Sequence, residues 1–261
     1  MKDPARQFLK TFEEISPVAR RRADVWRDFI TLAMIALHNP LQPDQKLEQE
    51  YLETAKRYDR ADLDRFSRLL ALTVTMLERE PRDVLGPLYM DIDGGNPHAG
   101  QFFTPPAIAA VMGQMQYQPP GDRPFVTLLE PAAGAGGMVL AFVNCLIRDG
   151  HDPMRRLWVK AIDIDRRCAM MCYIQLALWN VPAVVIHGNT LSGEVWNAWK
   201  TPAHILGGWD VRLAKAAAEN PEPVPETPEP VPENPEPAIP PKRQPAARTR
   251  NLFTLAEANL R

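Results

Sequence analysis

A chain of 261 residues is long enough for one substantial domain and an accessory segment, and its formal net charge of −2 gives it no overall basic footprint for nucleic acid. It has no apolar run long enough to cross a membrane, and its start does not read as a signal peptide. Three cysteines, Cys145, Cys168 and Cys172, are the odd, sparse count expected in a reducing cytoplasm rather than a disulfide framework.

Residues 1–95 read as a helical N-terminal region. Ala23 to Ala36 and Leu63 to Leu77 carry apolar residues at helical spacing, and Pro40 and Pro43 interrupt the pattern between them. The arginine runs at Arg20–Arg22 and at Arg243, Arg248 and Arg250 read as solvated surface.

Residues 96–213 alternate between strand and helix signals, which predicts an α/β domain with a parallel sheet. Thr104-Pro105 predicts a helix start, with Thr104 as cap and Pro105 in the first turn, running to about Gln116. Phe125 to Leu129 is a strand, Glu130 to Gly137 a glycine-rich turn, and Gly137 to about Arg148 a helix. A second strand, Leu157 to Ile162, ends at Asp163; a helix follows from about Arg166 to Trp179, then a third strand at Ala183 to Ile186. Cys168 and Cys172 stand four apart on that helix with no second pair nearby, so core packing is expected and no metal site.

Residues 214–248 form a different kind of chain. Three imperfect seven-residue repeats, beginning at Asn220, Thr227 and Asn234, are rich in Pro and Glu and predict an extended, disordered linker. Residues 249–261 place Leu252, Leu255 and Leu260 on a short helical pattern, which either docks on a partner or on this domain, or frays.

The chemistry concentrates in Leu128 to Phe142, LLEPAAGAGGMVLAF. Gly134 and Gly136 let the backbone approach a ligand, and the following helix offers unpaired N–H groups. The dinucleotide fingerprint would require a third glycine where Val139 stands, and no Lys-Ser/Thr follows to make a P-loop. Glu130-Pro131-Ala132 puts an acid where phosphate would be repelled and a ligand with a cationic amino group would be held. S-adenosylmethionine (SAM) is such a ligand. Asp163, at the end of the second strand, is placed to accept ribose hydroxyls, with Asp165 as cap of the next helix.

Three blocks in order give a resemblance. Gly100-Gln101-Phe102-Phe103-Thr104-Pro105, Glu130 to Gly137 (EPAAGAGG), and His187-Gly188-Asn189-Thr190-Leu191 are similar to the GQFFTP, (D/E)PACGSGG and G(D/N)TL blocks of the N6-adenine DNA methyltransferases. The chain most resembles the modification subunit of type I restriction-modification systems, over roughly residues 83–210. Asp83 to Tyr89 is similar to that family's DVLGxxYE connector. The resemblance implies a Rossmann-like SAM-dependent methyltransferase domain with a partly truncated parallel sheet. It implies that Glu130 lies near the methionine amino end, with Pro131, Ala132, Gly134 and Gly136 around it. Phe103 and Thr104 would meet the amino-acid end of the cofactor, and Asn189 the adenine amino edge. It also implies DNA as a partner, and a separate specificity-type subunit to read the target.

One element of that family is missing. Adenine N6 is a poor nucleophile, and the family's (N/D/S)PP(Y/F/W) segment accepts its hydrogens and stacks the flipped base. No such tetrapeptide follows Leu191; Asn220-Pro221-Glu222-Pro223 and Asn234-Pro235-Glu236-Pro237 lie inside the proline repeat, and Thr201-Pro202-Ala203-His204 lacks the second Pro and the aromatic. Catalytic residues are therefore unassigned. Three readings stand: a methyltransferase-family protein active only with unusual residues or a partner; a catalytically inactive SAM-binding or partner-binding protein acting as a regulator or restriction-interference factor; and a methyltransferase for another substrate, such as protein or RNA.

Overall fold

The structure, a computed structural model, describes residues 3–15, 21–93 and 103–219. Gly100-Gln101-Phe102, the proline repeat and the terminal segment lie outside the described residues, as do the arginines at 20, 243, 248 and 250.

Five helices build the N-terminal part: α1 (Pro4–Glu13), α2 (Arg22–His38), α3 (Gln45–Ala55), α4 (Arg60–Leu77) and α5 (Leu85–Asp93). Asp3, Asp44 and Asp59 cap α1, α3 and α4 through their carboxylates. Helix α2 buries Trp26, Phe29, Ile30, Leu32, Met34 and Ile35, apolar residues on more than one face, and so forms the centre of the helical layer rather than its surface. An aromatic cluster fixes it: Trp26 stacks on Tyr89 of α5 at 5.9 Å and Phe8 of α1 meets Phe29 edge-on at 5.6 Å.

The α/β part follows with α6 (Pro106–Gln116), β1 (Val126–Glu130), α7 (Gly137–Arg148), α8 (Pro153–Arg156), β2 (Leu157–Asp163), α9 (Arg166–Leu178), β3 (Ala183–Asn189), β4 (Glu194–Lys200), α10 (Pro202–Leu206) and α11 (Trp209–Glu219). The sheet order is β1-β2-β3-β4. The first three strands are parallel, joined by α7 and α9 as crossover helices, and β4 turns back antiparallel on β3. Among the described residues β1 pairs on one side only, and Leu129 on it is 60% exposed. α9 packs on β2, β3 and α2, so one helix joins the helical layer to the sheet. The described residues all belong to one compact unit.

Two expectations shift. The N-cap of α6 is Pro105, with Pro106 in the first turn and no side-chain cap bond, so Thr104 does not cap the helix. Helix α11 runs to Glu219, so residues 214–219 are helix and not linker. Ala214 and Ala216 to Ala218 are the strongest helix formers, and they carry the helix up to the first proline.

Candidate functional site

Parallel strands point the same way, so β1, β2 and β3 end side by side. Glu130, Asp163 and Asn189 are the last residues of those three strands. The sequence pattern thus resolves into a geometric fact: the three polar residues singled out for a ligand share one end of the sheet, around the glycine-rich loop.

The loop is held by backbone and carboxylate. Ala133 N–H donates to the Ile162 carbonyl at 2.8 Å, and Gly134 N–H donates to Asp163 Oδ2 at 2.7 Å. The other oxygen of Asp163 accepts the Asp165 N–H at 2.8 Å. Asp163 therefore anchors the glycine loop as well as facing the strand ends. Burial pushes its carboxyl above the usual range, opposed by the Asp165 and Gly134 N–H donors. A desolvated carboxylate with spare lone pairs is a strong acceptor for ligand hydroxyls. Asp165 caps α9, accepting from Arg167 N–H at 2.8 Å, as its spacing predicted.

Gly134 and Gly136 have φ of 54° and 94°, left-handed values that favour glycine. A side chain at Gly136 would be crowded, since a Cβ there would lie 3.1 Å from Cys172 Sγ. Cys168 and Cys172 are buried in α9, and burial is the main cause that pushes both thiols up. Glu130 accepts the Ala132 N–H at 3.2 Å and is half-buried, while Pro131 and Ala132 are exposed. Phe103 lies along the other side of the loop. Its ring would sit 3.5 Å from a Cβ on Gly134, and it meets Tyr89 edge-on at 6.0 Å.

Asn189 is placed at the strand end as expected, and its side chain also shapes the turn. Its carbonyl oxygen accepts from Leu191 N–H at 3.0 Å and Ser192 N–H at 3.4 Å. The amide NH2 is what remains to face a ligand. Thr104 lines a cavity of about 340 Å³ between α6 and α7, together with Asp83, Gly137, Asn144 and Arg148. That cavity includes none of Glu130, Asp163 and Asn189, and so is separate from the strand-end cluster.

Two residues build the site in ways not legible in the sequence. Gln175, fully buried on α9, accepts Val84 N–H at 2.8 Å and donates to Asp83 Oδ1 at 2.9 Å and to the Ala135 carbonyl at 2.6 Å. It ties the connector before α5 to the glycine loop. Thr190 donates its hydroxyl to the Pro131 carbonyl at 2.6 Å, tying the third block to the second. The only signal for Gln175 was a polar residue beside an apolar run, whereas Thr190 stood in the third block with no role assigned to it. Ile164, exposed directly after Asp163, adds an apolar surface at the same strand ends.

Thr201 to His204 belongs elsewhere. Thr201 Oγ1 accepts from Ala183 N–H at 2.9 Å and donates to the Val181 carbonyl at 2.7 Å, at the start of β3. His204 is buried, accepting from Trp158 Nε1 at 3.1 Å and pairing with Asp210 at 3.0 Å. A seven-residue strand separates this cluster from Asn189, roughly 20 Å, so it is structural and no remnant of a base-binding segment.

Residues 92–208 match the family model described as N-6 DNA Methylase. The match runs from the end of α5 through α10 and includes Glu130, Gly134, Gly136, Asp163 and Asn189. The cofactor that goes with this match is S-adenosylmethionine. The residues present fit it: an acidic strand-end cluster suits its cationic methionine end, and glycines with left-handed φ leave the loop without side chains. No curated protein matches the chain. A solved structure described as a class I S-adenosylmethionine-dependent methyltransferase from Listeria monocytogenes is similar over 74% of this chain, at 12% identity and a TM-score of 0.43. The alignment covers 56% of that protein's length. Among the described residues, no helix is long and apolar enough to cross a membrane.

Proposed function

We propose that this chain is a SAM-binding protein of the DNA adenine-N6 methyltransferase type, related to restriction-modification systems and working in the cytoplasm. It holds the cofactor half of the site and depends on a partner for the base-binding half. The observation that carries this is the convergence of Glu130, Asp163 and Asn189 at adjacent parallel strand ends, with Asp163 bonded to the Gly134 N–H of the loop.

In this reading Asp163 accepts the ribose hydroxyls and Glu130 faces the methionine amino group. The Asn189 amide donates to an acceptor nitrogen of the adenine ring, because its oxygen is engaged in the turn. Phe103 backs the loop on the amino-acid side. DNA would be met together with a specificity-type subunit, since the chain's net charge of −2 provides no broad phosphate track.

A binding role without turnover is the second reading, and the sheet favours it. After β3 the chain returns antiparallel as β4 instead of adding a further parallel strand. Among the described residues no strand therefore follows whose C-terminal end would bring base-accepting groups beside Glu130.

Calorimetric titration of the full chain with SAM tests the cofactor site. Glu130→Ala and Asp163→Ala should each weaken binding about tenfold to a hundredfold, by loss of charge-assisted hydrogen bonds. Unchanged affinity in both variants sinks the assignment. Transfer of a labelled methyl group to DNA, with and without a specificity subunit, then separates the two readings.

A further inference from the structure

Helix α6 is apolar on the wrong side. From Phe103 to Gly121 the chain carries no Asp, Glu, Lys or Arg. The helix rests on α7 through its smallest residues, Ala109 and Gly113, which are the buried ones. A Cβ on Gly113 would lie 3.0 Å from the Ala141 main chain, so the two helices approach closely. The bulky residues point away: Ile108, Val111, Met112 and Met115 are 52%, 56%, 41% and 81% exposed. Their spacing, i, i+3, i+4 and i+7, puts all four on one helix face. Single exposed apolar residues are ordinary, but a continuous stripe of four on a charge-free helix marks a contact surface. Among the described residues nothing covers it.

We propose that this stripe is the contact between two copies of the chain, with α6 pairing antiparallel on α6 across a two-fold axis. The stripe is symmetric about the point between Val111 and Met112. An antiparallel pair centred there sets Ile108 of one copy against Met115 of the other, and Val111 against Met112, and the same two contacts then recur on the far side of the axis. The absence of charge favours a like surface. Two copies meet with no opposed like charges, whereas a partner recognised by charge would find nothing to read. The methionines adapt their side chains to a facing apolar surface. Two helices of this length bury less than the ~800 Å² per partner of a standard interface, so the dimer is reversible and concentration-dependent.

Sedimentation equilibrium of the full chain, from low micromolar to several hundred micromolar, tests this. The expected result is a mass that rises from one chain toward two. Met115→Glu and Ile108→Lys should each weaken association at least tenfold. Both positions are exposed, so the thermal melt of each variant, read by circular dichroism, should match that of the wild type and show that the fold is intact. An equimolar mixture of Met115→Glu and Ile108→Lys should regain association, because the register sets the new carboxylate against the new ammonium. A wild-type chain that stays monomeric throughout overturns the proposal and leaves the stripe to a different polypeptide. A dimer indifferent to both substitutions overturns it also, as does a mixture of folded variants that fails to associate.

Discussion

Single side chains in this molecule hold together parts that are far apart in the chain, and Gln175 is the clearest case. Its amide, fully buried, serves Val84, Asp83 and Ala135 at once. Gln175→Leu keeps the volume but strands a buried N–H and a buried carboxylate, and should cost about 3 kcal/mol in a urea titration. Asp83 itself carries a pH signature. Burial pushes its carboxyl above the usual range, against the lowering by Gly86, Gln175 and Leu85. A carboxyl raised by folding contributes stability that is complete below its unfolded pKa of about 3.9 and is lost as pH rises through the folded value. The stability of the wild type relative to Asp83→Asn should therefore fall as pH climbs from acid toward neutral; a flat or rising difference would contradict the burial. Neither role was legible in the sequence, where Asp83 read as part of a connector and Gln175 as a polar residue on an apolar helix. Hydrogen bonds over some ninety residues of separation leave no local pattern. Glu130, Asp163 and Asn189 were legible because each ends a strand signal.

Elements whose apolar runs have clear bounds were read correctly, and several without such bounds were missed. β1, α7, β2, α9 and β3 each carry apolar runs bounded by Gly, Pro or Asp, and the structure places them where the pattern did, within a few residues. Helix α3 escaped because only Leu47 and Thr54 of its eleven residues are buried, too few to set a period. Strand β4 escaped because Val195, Trp196, Ala198 and Trp199 do not alternate, and only Trp199 among its residues is buried. The loop between β1 and α7 has the sharpest local requirement. Gly136→Ala would place a Cβ at φ 94° and 3.1 Å from Cys172 Sγ. We expect a loss of about 2 kcal/mol by chemical denaturation, from left-handed strain plus crowding. Adding Cys172→Ala should relieve the crowding but not the strain, so the double variant should recover only part of the loss.

At the scale of the whole described unit, the helical layer and the sheet stabilise each other. Arg166 of α9 makes a two-pronged bond to Glu50 of α3, both contacts at 2.7 Å. Gln42, after α2, donates to the Lys200 carbonyl at 2.7 Å, as Tyr173 does at 3.2 Å. Helix α2 and α9 share a buried apolar face. Thermal unfolding should therefore show coincident transitions by far- and near-ultraviolet circular dichroism, and residues 103–219 produced alone should not fold cooperatively; two separated transitions would contradict this. The sequence divided these parts at about residue 95 because the signal type changes there, whereas packing, which decides cooperativity, does not follow signal type. The free side of β1 has a consequence of another kind. Its backbone groups on that side have no strand partner among the described residues, and Val126 to Leu129 carry no charge to repel one. The sheet is therefore extensible at the strand that carries the glycine loop. An engineered strand grafted there would set new side chains beside Glu130 without displacing any described strand, which makes this scaffold a receiver for added chemistry.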